Sequence, residues 1–398
     1  MSIFDSWWSA SRWNFAIIPA GVWLLSLPAA ELAFRLAGDR PTTELEGLYE
    51  EFGSLSYKHR AHVVADADWI EGRFSVATDA YGLRCSRGEA GPALTLRNLD
   101  LLLLGDSQGY GQGLEFEQTI SGVLSRLAAR RAMSVGNASV GGHYLENQFE
   151  LLRWLYTRGV RPRSVLILMT PYLVASSGRL NRAHVDARGR LTNGAGGRRE
   201  RMTLWLKTHT VVYTRLRNSV RGLIPLDRDR EAPLLIRFYS KQFEPDYRAR
   251  LISFLDGLAR WTTERGMDLV LVYTPLAAEM EFAMIARAAR ERGIETDSDM
   301  LYRTTAWAAG ELGVPVLDLR PVLERARASG QPLTLLKDPH YNAAVSAACA
   351  EAIWSSIDGE RARPRRGETP ASRRRYGVRA GIRHAARLRP DEFPDSRQ

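Results

Sequence analysis

Short apolar runs alternate with amphipathic stretches from about residue 99 to residue 358. The clearest run, residues 99–104, consists of five leucines interrupted only by Asp100. Such a run is typical of a strand buried on both faces of a parallel sheet. A helical pattern over residues 117–130 follows it after a short polar turn. Repetition of this strand–helix unit predicts an α/β fold with a doubly wound parallel sheet.

The same periodicities predict the other elements of this domain, residues 99–358. The predicted strands are residues 133–138, 164–169, 268–274 and 314–319, and the predicted helices are residues 145–157, 247–265, 299–312 and 343–357. Residues from about 176 to 244 break the rhythm, because they are basic and glycine-rich at first and amphipathic over 203–223. We interpret them as an insertion, either a lid or acceptor-recognition element or an ordinary packing helix.

The amino-terminal segment, residues 1–40, contains an uncharged apolar run of eighteen residues at positions 13–30. At about 1.5 Å per residue, a helix of this length just spans the hydrocarbon core of a membrane. Trp7, Trp8 and Trp13 lie where an interfacial aromatic belt would be. We therefore predict one transmembrane anchor helix; a cleaved signal peptide and a buried soluble helix are the alternatives.

Residues 41–98 predict an extension with short strands ahead of the main domain. His59 and His62 lie in a basic stretch of it, which favours solvated histidines over a metal site. The two cysteines, Cys85 and Cys349, have no metal-ligand spacing; we predict free thiols, with a single disulfide bridge as the alternative. No cofactor and no metal are predicted.

The net charge of +10 comes mostly from the carboxyl-terminal tail, residues 359–398. Residues 361–398 hold twelve arginines against four acidic residues and few apolar ones, a composition typical of disorder. Such a tail suits contact with anionic lipid or an acidic polymer. Because aromatic residues for base stacking are nearly absent, no nucleic-acid partner is expected.

A serine, Ser107, follows the leucine run directly, in the sequence Gly-Asp-Ser-Gln-Gly. Ligands of open α/β folds bind at the carboxyl ends of the strands, and backbone N–H groups at a helix start can face a developing oxyanion. Ser107 is therefore a candidate nucleophile. The alternative is a plain polar turn between strand and helix.

Near the other end of the chain, Asp338 lies two residues before His340, on a predicted loop that opens the last helix. A serine nucleophile needs a base, and the base needs a partner that fixes its tautomer. His340 and Asp338 can supply these two roles to Ser107. A helix cap and a surface histidine are the alternative interpretation of the pair.

Taken together, these motifs resemble the SGNH, or GDSL-type, hydrolases. The resemblance is carried by Gly105-Asp106-Ser107, by Asn137-Ala138-Ser139-Val140-Gly141-Gly142 and by Asp338-Pro339-His340. Asp79-Ala80-Tyr81-Gly82-Leu83-Arg84, Gly111-Gln112-Gly113-Leu114 and Thr119 are similar to the flanking motifs of a membrane-anchored bacterial branch. The resemblance implies a flavodoxin-like three-layer sandwich, here preceded by the predicted anchor helix.

The resemblance also implies roles for individual residues. Ser107 is the nucleophile, His340 the base and Asp338 its support, while the N–H groups of Ser107 and Gly142 form the oxyanion hole. The family's oxyanion asparagine is missing, because residues 169–173 read Met-Thr-Pro-Tyr-Leu. Thr170 and Tyr172 are the candidate substitutes. His143 lacks a supporting acid with the family spacing, so a substrate contact or a surface role is expected for it.

Three functions follow from these features. The first is a membrane-anchored serine esterase or O-acyltransferase that acts on an acyl ester of a carbohydrate or lipid, with its catalytic domain outside the cytoplasm of a bacterium, at the inner membrane. The second is an α/β-hydrolase, since residues 105–109 also satisfy G-x-S-x-G. The third is a non-catalytic protein of the same fold that binds polysaccharide or assembles with a membrane acyltransferase.

Overall fold

The computed structural model describes most of the chain between residues 26 and 362. The described ranges are 26–39, 41, 45–53, 56–69, 72–89, 98–179, 181, 183–192, 198–223, 228–336 and 338–362. The chain divides into two compact units. The smaller unit comprises residues 1–44 and 195–225, and the larger comprises residues 45–194 and 226–398.

The larger unit is built around one mixed sheet of eight strands. The strands of this unit are β1 (Tyr49–Phe52), β2 (Ser56–His59), β3 (Val64–Trp69), β4 (Gly72–Thr78), β5 (Arg84–Cys85), β6 (Asn98–Leu104), β7 (Val135–Asn137), β8 (Arg161–Met169), β9 (His184–Val185), β10 (Leu191–Thr192), β11 (Asp268–Tyr273), β12 (Val316–Asp318), β13 (Thr334–Leu335) and β14 (Asp338–Tyr341). The order across the large sheet is β12-β11-β8-β6-β7-β5-β4-β3.

Five neighbouring strands of this sheet are parallel, namely β7, β6, β8, β11 and β12. Numbered along the chain, they have the order 2-1-3-4-5 of flavodoxin-like sheets. In such a sheet the ligand crevice opens where the strand order reverses, between the first and third strands, which are β6 and β8 here. Ser107 follows β6 directly, so the nucleophile candidate lies at this switch point.

Helices cover both faces of the parallel strands. The helices of the larger unit are α2 (Ser107–Tyr110), α3 (Ile120–Ala129), α4 (Leu145–Thr157), α5 (Pro171–Ser176), α8 (Arg228–Tyr239), α9 (Glu244–Glu264), α10 (Phe282–Arg290), α11 (Met300–Glu311), α12 (Arg320–Ala328) and α13 (Ala343–Ala362); the smaller unit holds α1 (26–36), α6 (Arg198–His209) and α7 (Val211–Leu223). Leu101 and Leu103 of β6 pack in the core formed with α3, α12 and α13. Leu102 and Leu104 pack in the opposite core with α4, α9 and α11. The predicted α/β sandwich with a parallel sheet is confirmed.

The extension before β6 joins the same sheet. Strand β5 pairs antiparallel with β7, and β4 and β3 follow outward from it. The turn before β5 is fixed by Asp79, whose Oδ1 accepts hydrogen bonds from the N–H groups of Tyr81 and Leu83. Gly82 in this turn has φ +77°, and a side chain there would collide with the carbonyl of His59. The 79–84 motif is thus a structural corner that presents Arg84.

The smaller unit consists of helices from two distant parts of the sequence. The Glu31 carboxylate accepts hydrogen bonds from the N–H groups of Val211 (3.1 Å) and Val212 (2.9 Å), at the start of α7. Arg35 bonds Glu31 at 2.7 Å and donates to the carbonyl of His209, at the end of α6. One ion pair on α1 therefore caps both helix ends at the α6–α7 corner.

The predicted anchor helix over 13–30 lies for the most part outside the described residues, which begin at residue 26. Within the described ranges, every helix is too short or too polar to cross a membrane.

The sequence expectations for the surroundings of His340 and His59 were wrong. His340 lies on a short strand, β14, that pairs with β13, rather than on a loop. His59 was expected to be solvated, yet its side chain is 1% exposed, and burial lowers its pKa to about 3. In both places the local sequence is polar, and long-range packing overrides it. Cys85 and Cys349 do not form a disulfide with each other, and both side chains are buried.

Glu279 is a carboxyl buried between β11 and α8. Its oxygens accept hydrogen bonds from the Tyr239 hydroxyl (2.7 Å), the Tyr273 hydroxyl (3.3 Å) and the N–H of Leu276 (3.1 Å). Burial raises the pKa of Glu279 to about 7, against the lowering effect of these donors. A carboxyl with a raised pKa in the folded state keeps its proton after the unfolded chain has released it.

We expect Glu279→Gln to flatten the pH dependence of stability. Between about pH 4.5 and 7 the free energy of unfolding of the wild type should fall as pH rises. The slope is at most about 1.4 kcal/mol per pH unit. The neutral amide does not ionise, so above pH 7 the variant should be the more stable protein. Urea unfolding at several pH values measures this, with the exposed Glu351→Gln as control; parallel curves for wild type and Glu279→Gln would contradict it.

Candidate active site

Ser107 is the first residue of α2 and is partly exposed. Asp106 caps this one-turn helix, since its Oδ1 accepts a hydrogen bond from the N–H of Gln108 at 2.9 Å. Because β6 is buried on both faces, its carboxyl end and the serine after it are fixed relative to the sheet. The serine hydroxyl is therefore presented at the sheet edge on a tight strand-to-helix turn.

Two glycines let this turn pack against the segment that follows β7. A Cβ atom at Gly105 would lie 3.1 Å from the Ser139 Oγ, and one at Gly109 would lie 2.6 Å from it. The N–H of Val140 also donates to the carbonyl of Gly105 at 3.1 Å. The Ser107 turn and the turn that leads to Gly142 are thus in direct contact.

Arg84 holds the segment that follows Ser107 through hydrogen bonds to its backbone carbonyls. Its guanidinium is buried and donates to the carbonyls of Tyr110, Gly111 and Leu114, just after α2. It also lies 4.5 Å from the centre of the Tyr110 ring. Burial lowers the pKa of Arg84, and nearby phenol and carboxylate groups oppose this shift. Carbonyl dipoles and a ring face compensate the buried charge in place of a direct carboxylate partner.

Asp338 and His340 form a close pair on β14. The same carboxylate oxygen, Asp338 Oδ1, accepts hydrogen bonds from the His340 backbone N–H (2.9 Å) and from its ring Nδ1. With the proton on Nδ1, the other ring nitrogen, Nε2, carries a lone pair and can accept a proton. The Asp338 carboxylate is buried and the His340 side chain is 17% exposed. This is the arrangement that a serine nucleophile requires of its base.

Gln108 joins the serine turn to the histidine strand. Its side-chain Oε1 accepts from the N–H of Tyr341 at 3.2 Å, and its Nε2 donates to the carbonyl of Pro339 at 3.5 Å. The residue after Ser107 thereby bonds the residues on both sides of His340. No local sequence pattern predicts this contact. The only available signal was the polar residue next to the serine, which is buried here.

Gly142 has φ +80°, a conformation that favours glycine, and a side chain there would meet the Tyr57 hydroxyl at 2.7 Å. Its carbonyl accepts a hydrogen bond from the Asn181 side chain at 2.7 Å. Across the described part of the chain, neither the Gly142 N–H nor the Ser107 N–H donates to a protein acceptor. Both are therefore available to an oxyanion.

The two candidate substitutes for the missing asparagine have other partners. Thr170 caps α5 after β8, and its hydroxyl donates to Asp106 Oδ2 at 2.5 Å. This bond joins the ends of β6 and β8 across the switch point. Burial raises the pKa of Asp106, while the bond from Thr170 lowers it. The Tyr172 hydroxyl donates to the Tyr144 hydroxyl at 2.9 Å, which leaves the Tyr144 proton available.

His143 has neither of the roles expected for it. Its side chain is fully buried, its Nε2 bonds the carbonyl of Tyr57 at 2.7 Å, and burial lowers its pKa to about 4. It is a neutral core residue that holds Tyr57 beside the Gly142 turn. Across the described residues, no cluster of histidine, cysteine and acidic side chains has the makings of a metal site.

The carboxyl-terminal part of the chain is similar to a known family. Residues 238–385 match a family model described as an SGNH hydrolase-like domain, acetyltransferase AlgX. This match covers just over a third of the chain and includes His340 and Asp338, whereas Ser107 lies before it. None of the curated proteins compared with the chain matches its sequence.

Several solved structures are similar to the chain at low identity. TesA is 15% identical over 65% of this chain and 98% of its own, with a TM-score of 0.37. The psychrotrophic esterase EstA from a Pseudoalteromonas species is 13% identical over 66% and 97%, with a TM-score of 0.35. The acetylxylan esterase Axe2 from Geobacillus stearothermophilus is 14% identical over 64% and 91%, with a TM-score of 0.34. Because all three TM-scores are below 0.5, we base the chemistry on the geometry of this chain.

We expect Asp338→Asn to lower kcat for an activated acyl ester by a factor on the order of 10⁴. An asparagine amide donates to Nδ1, which moves the imidazole proton to Nε2 and removes the base. Hydrolysis of p-nitrophenyl acetate measures the effect, and a circular-dichroism melt reports folding. Asp299→Asn, at an exposed carboxylate, should retain activity. Full activity of folded Asp338→Asn would exclude Asp338 from the triad.

Proposed function

We propose that the chain is a serine esterase or O-acyltransferase of the SGNH hydrolase-like type, with Ser107, His340 and Asp338 as its triad. The observation that carries this proposal is the double hydrogen bond from His340 to Asp338, on a strand that Gln108 ties to the serine turn. A surface histidine beside a helix cap has no need of either contact.

The proposed reaction begins with attack of the Ser107 hydroxyl oxygen on the carbonyl carbon of an acyl ester. His340 Nε2 takes the hydroxyl proton, and Asp338 stabilises the resulting imidazolium. The N–H groups of Ser107 and Gly142 hold the negative oxygen of the tetrahedral intermediate. The alcohol then leaves with the proton from His340, and an acyl-enzyme remains on Ser107.

The acyl-enzyme is resolved by the reverse sequence. His340 removes a proton from water, or from a sugar hydroxyl, and the new oxygen attacks the acyl carbon. Water gives hydrolysis and a sugar hydroxyl gives acyl transfer, so one set of residues serves both outcomes. Access of water to the acyl-enzyme decides between them.

A carbohydrate ester suits the side chains beside Gly142. Tyr144 and Tyr172 are partly exposed, their rings lie edge to face with centres 5.3 Å apart, and the Tyr172 hydroxyl donates to that of Tyr144. Aromatic faces and phenol hydroxyls are suited to the apolar faces and hydroxyls of sugars. The matching family model is described as an acetyltransferase, which supports a short acyl group. We therefore propose an O-acetylated carbohydrate ahead of a lipid ester.

The α/β-hydrolase interpretation is disfavoured by the topology. Ser107 follows the first of the five parallel strands, whereas the G-x-S-x-G elbow of that fold comes after several core strands. The Asp338 acid also lies only two residues from His340. Both features argue against this alternative.

One observation favours a second candidate, a non-catalytic polysaccharide-binding or assembly protein. The position after β8 lacks the family asparagine, and the Thr170 hydroxyl found there donates to Asp106. Loss of one oxyanion donor costs a serine hydrolase about a hundred- to a thousandfold in rate. In this alternative, Tyr144 and Tyr172 bind a sugar and no ester bond is cleaved.

For location, we propose a single-pass protein of the bacterial inner membrane with the sheet domain on its outer side. The support is the apolar run over residues 13–30 and its flanking tryptophans.

We expect a fluorophosphonate probe to label the wild-type protein and to label neither Ser107→Ala nor His340→Ala. The probe reacts with an activated serine, and each variant removes one member of the nucleophile–base pair. Ser125→Ala, which changes a helical serine bonded to the Ser121 carbonyl, should label like wild type. Intact-protein mass spectrometry reads the adduct. Absence of an adduct on folded wild type would leave sugar binding as the function.

A further inference from the structure

The smaller unit exposes apolar side chains in stripes along its helices. On α6, Met202 and Trp205 lie three residues apart and are 59% and 55% exposed. On α7, Leu216 and Val220 lie four residues apart and are 53% and 45% exposed. Residues at these spacings share one face of a helix. Each helix therefore presents an apolar stripe to its surroundings.

The same two helices are strongly basic. Together α6 and α7 carry seven lysine or arginine residues against one carboxylate, Glu200. On α7, apolar and polar residues lie on opposite faces, and this pattern together with the basic residues is typical of a helix that lies in a membrane interface. Helix α6 adds the exposed Trp205, a residue type enriched at membrane interfaces. A face that docked onto a second protein would have no need of this charge excess.

The position of the unit in the chain points to the same surroundings. Helix α1 (26–36) overlaps the end of the apolar run at 13–30, and its exposed Leu32 and Leu36 lie four residues apart. Glu31 and Arg35 of α1 cap the facing ends of α7 and α6. Helix α1, which contains the last residues of this apolar run, thus holds the α6–α7 corner.

We propose that α1, α6 and α7 form a membrane-docking unit that lies on a bilayer surface bearing anionic headgroups. The apolar stripes of α6 and α7 enter the interface, and the basic residues of these helices contact the headgroups. Helices α6 and α7, which lie within the insertion at about 176–244, are therefore a membrane-contact element. This role differs from that of a substrate lid.

The test uses the full chain in phosphatidylcholine vesicles with and without phosphatidylglycerol. Met202→Cys, Val220→Cys and Val64→Cys each receive an environment-sensitive fluorophore, while the native Cys85 and Cys349 are buried. Val64 is the matched control, because this valine on β3 has the same 45% exposure as Val220. Quenching by spin-labelled lipid reports contact with the bilayer, and quenching by iodide reports contact with water.

We expect lipid quenching at positions 202 and 220 to exceed that at position 64 severalfold, since interfacial helices bury their apolar faces about 5–10 Å into the headgroup boundary. The difference should grow with phosphatidylglycerol and shrink with added salt. Equal quenching at 220 and 64, or failure of the chain to float with vesicles, would overturn the proposal. A third result would also overturn the proposal. If the protection of position 220 from iodide in detergent increases with protein concentration, a second copy of the chain covers this face instead of lipid. Equal lipid quenching with and without phosphatidylglycerol would overturn the proposal that anionic headgroups bind this unit.

Discussion

The leucine strand β6 fixes the candidate active site more than any other element does. Its side chains alternate between two separate cores, so a shift by one residue would move every leucine to the wrong face. Strand β6 ends at Leu104, and this end fixes where Ser107 lies. Neighbouring strand β8 ends beside it, and the Asp106–Thr170 hydrogen bond joins the two ends. The position of this candidate nucleophile thus follows from the burial of β6.

The sequence predicted what periodicity and motifs encode. Strands buried on both faces, the helices between them and the order of the motifs all leave local patterns, and the parallel sandwich emerged from these. The Gln108 bridge to β14 leaves no such pattern, because its partners lie more than 230 residues away. The burial of His59 and His143 was missed for the same reason, since their local sequences are polar and their environments come from distant strands.

Near the serine turn, buried charged side chains are stabilised by hydrogen-bonding dipoles more than by opposite charges. Arg84 is surrounded by carbonyl oxygens and a ring face, and Asp106 by a hydroxyl and an N–H. Dipoles of this kind are fixed by the fold and do not depend on salt. Loss of any one donor leaves its charge desolvated, so the surroundings of the crevice are rigid and sensitive to substitution.

The two-segment construction of the smaller unit has a consequence for synthesis. Glu31 and Arg35 leave the ribosome about 170–180 residues before the helix ends that they cap. At 5–20 residues per second, this interval is about 10–40 s, and six of the eight strands of the large sheet, β3 to β8, are made during it. Nascent α1 therefore waits without its partners while most of the larger unit's first half is translated. The smaller unit can therefore assemble only after the intervening chain has been synthesised.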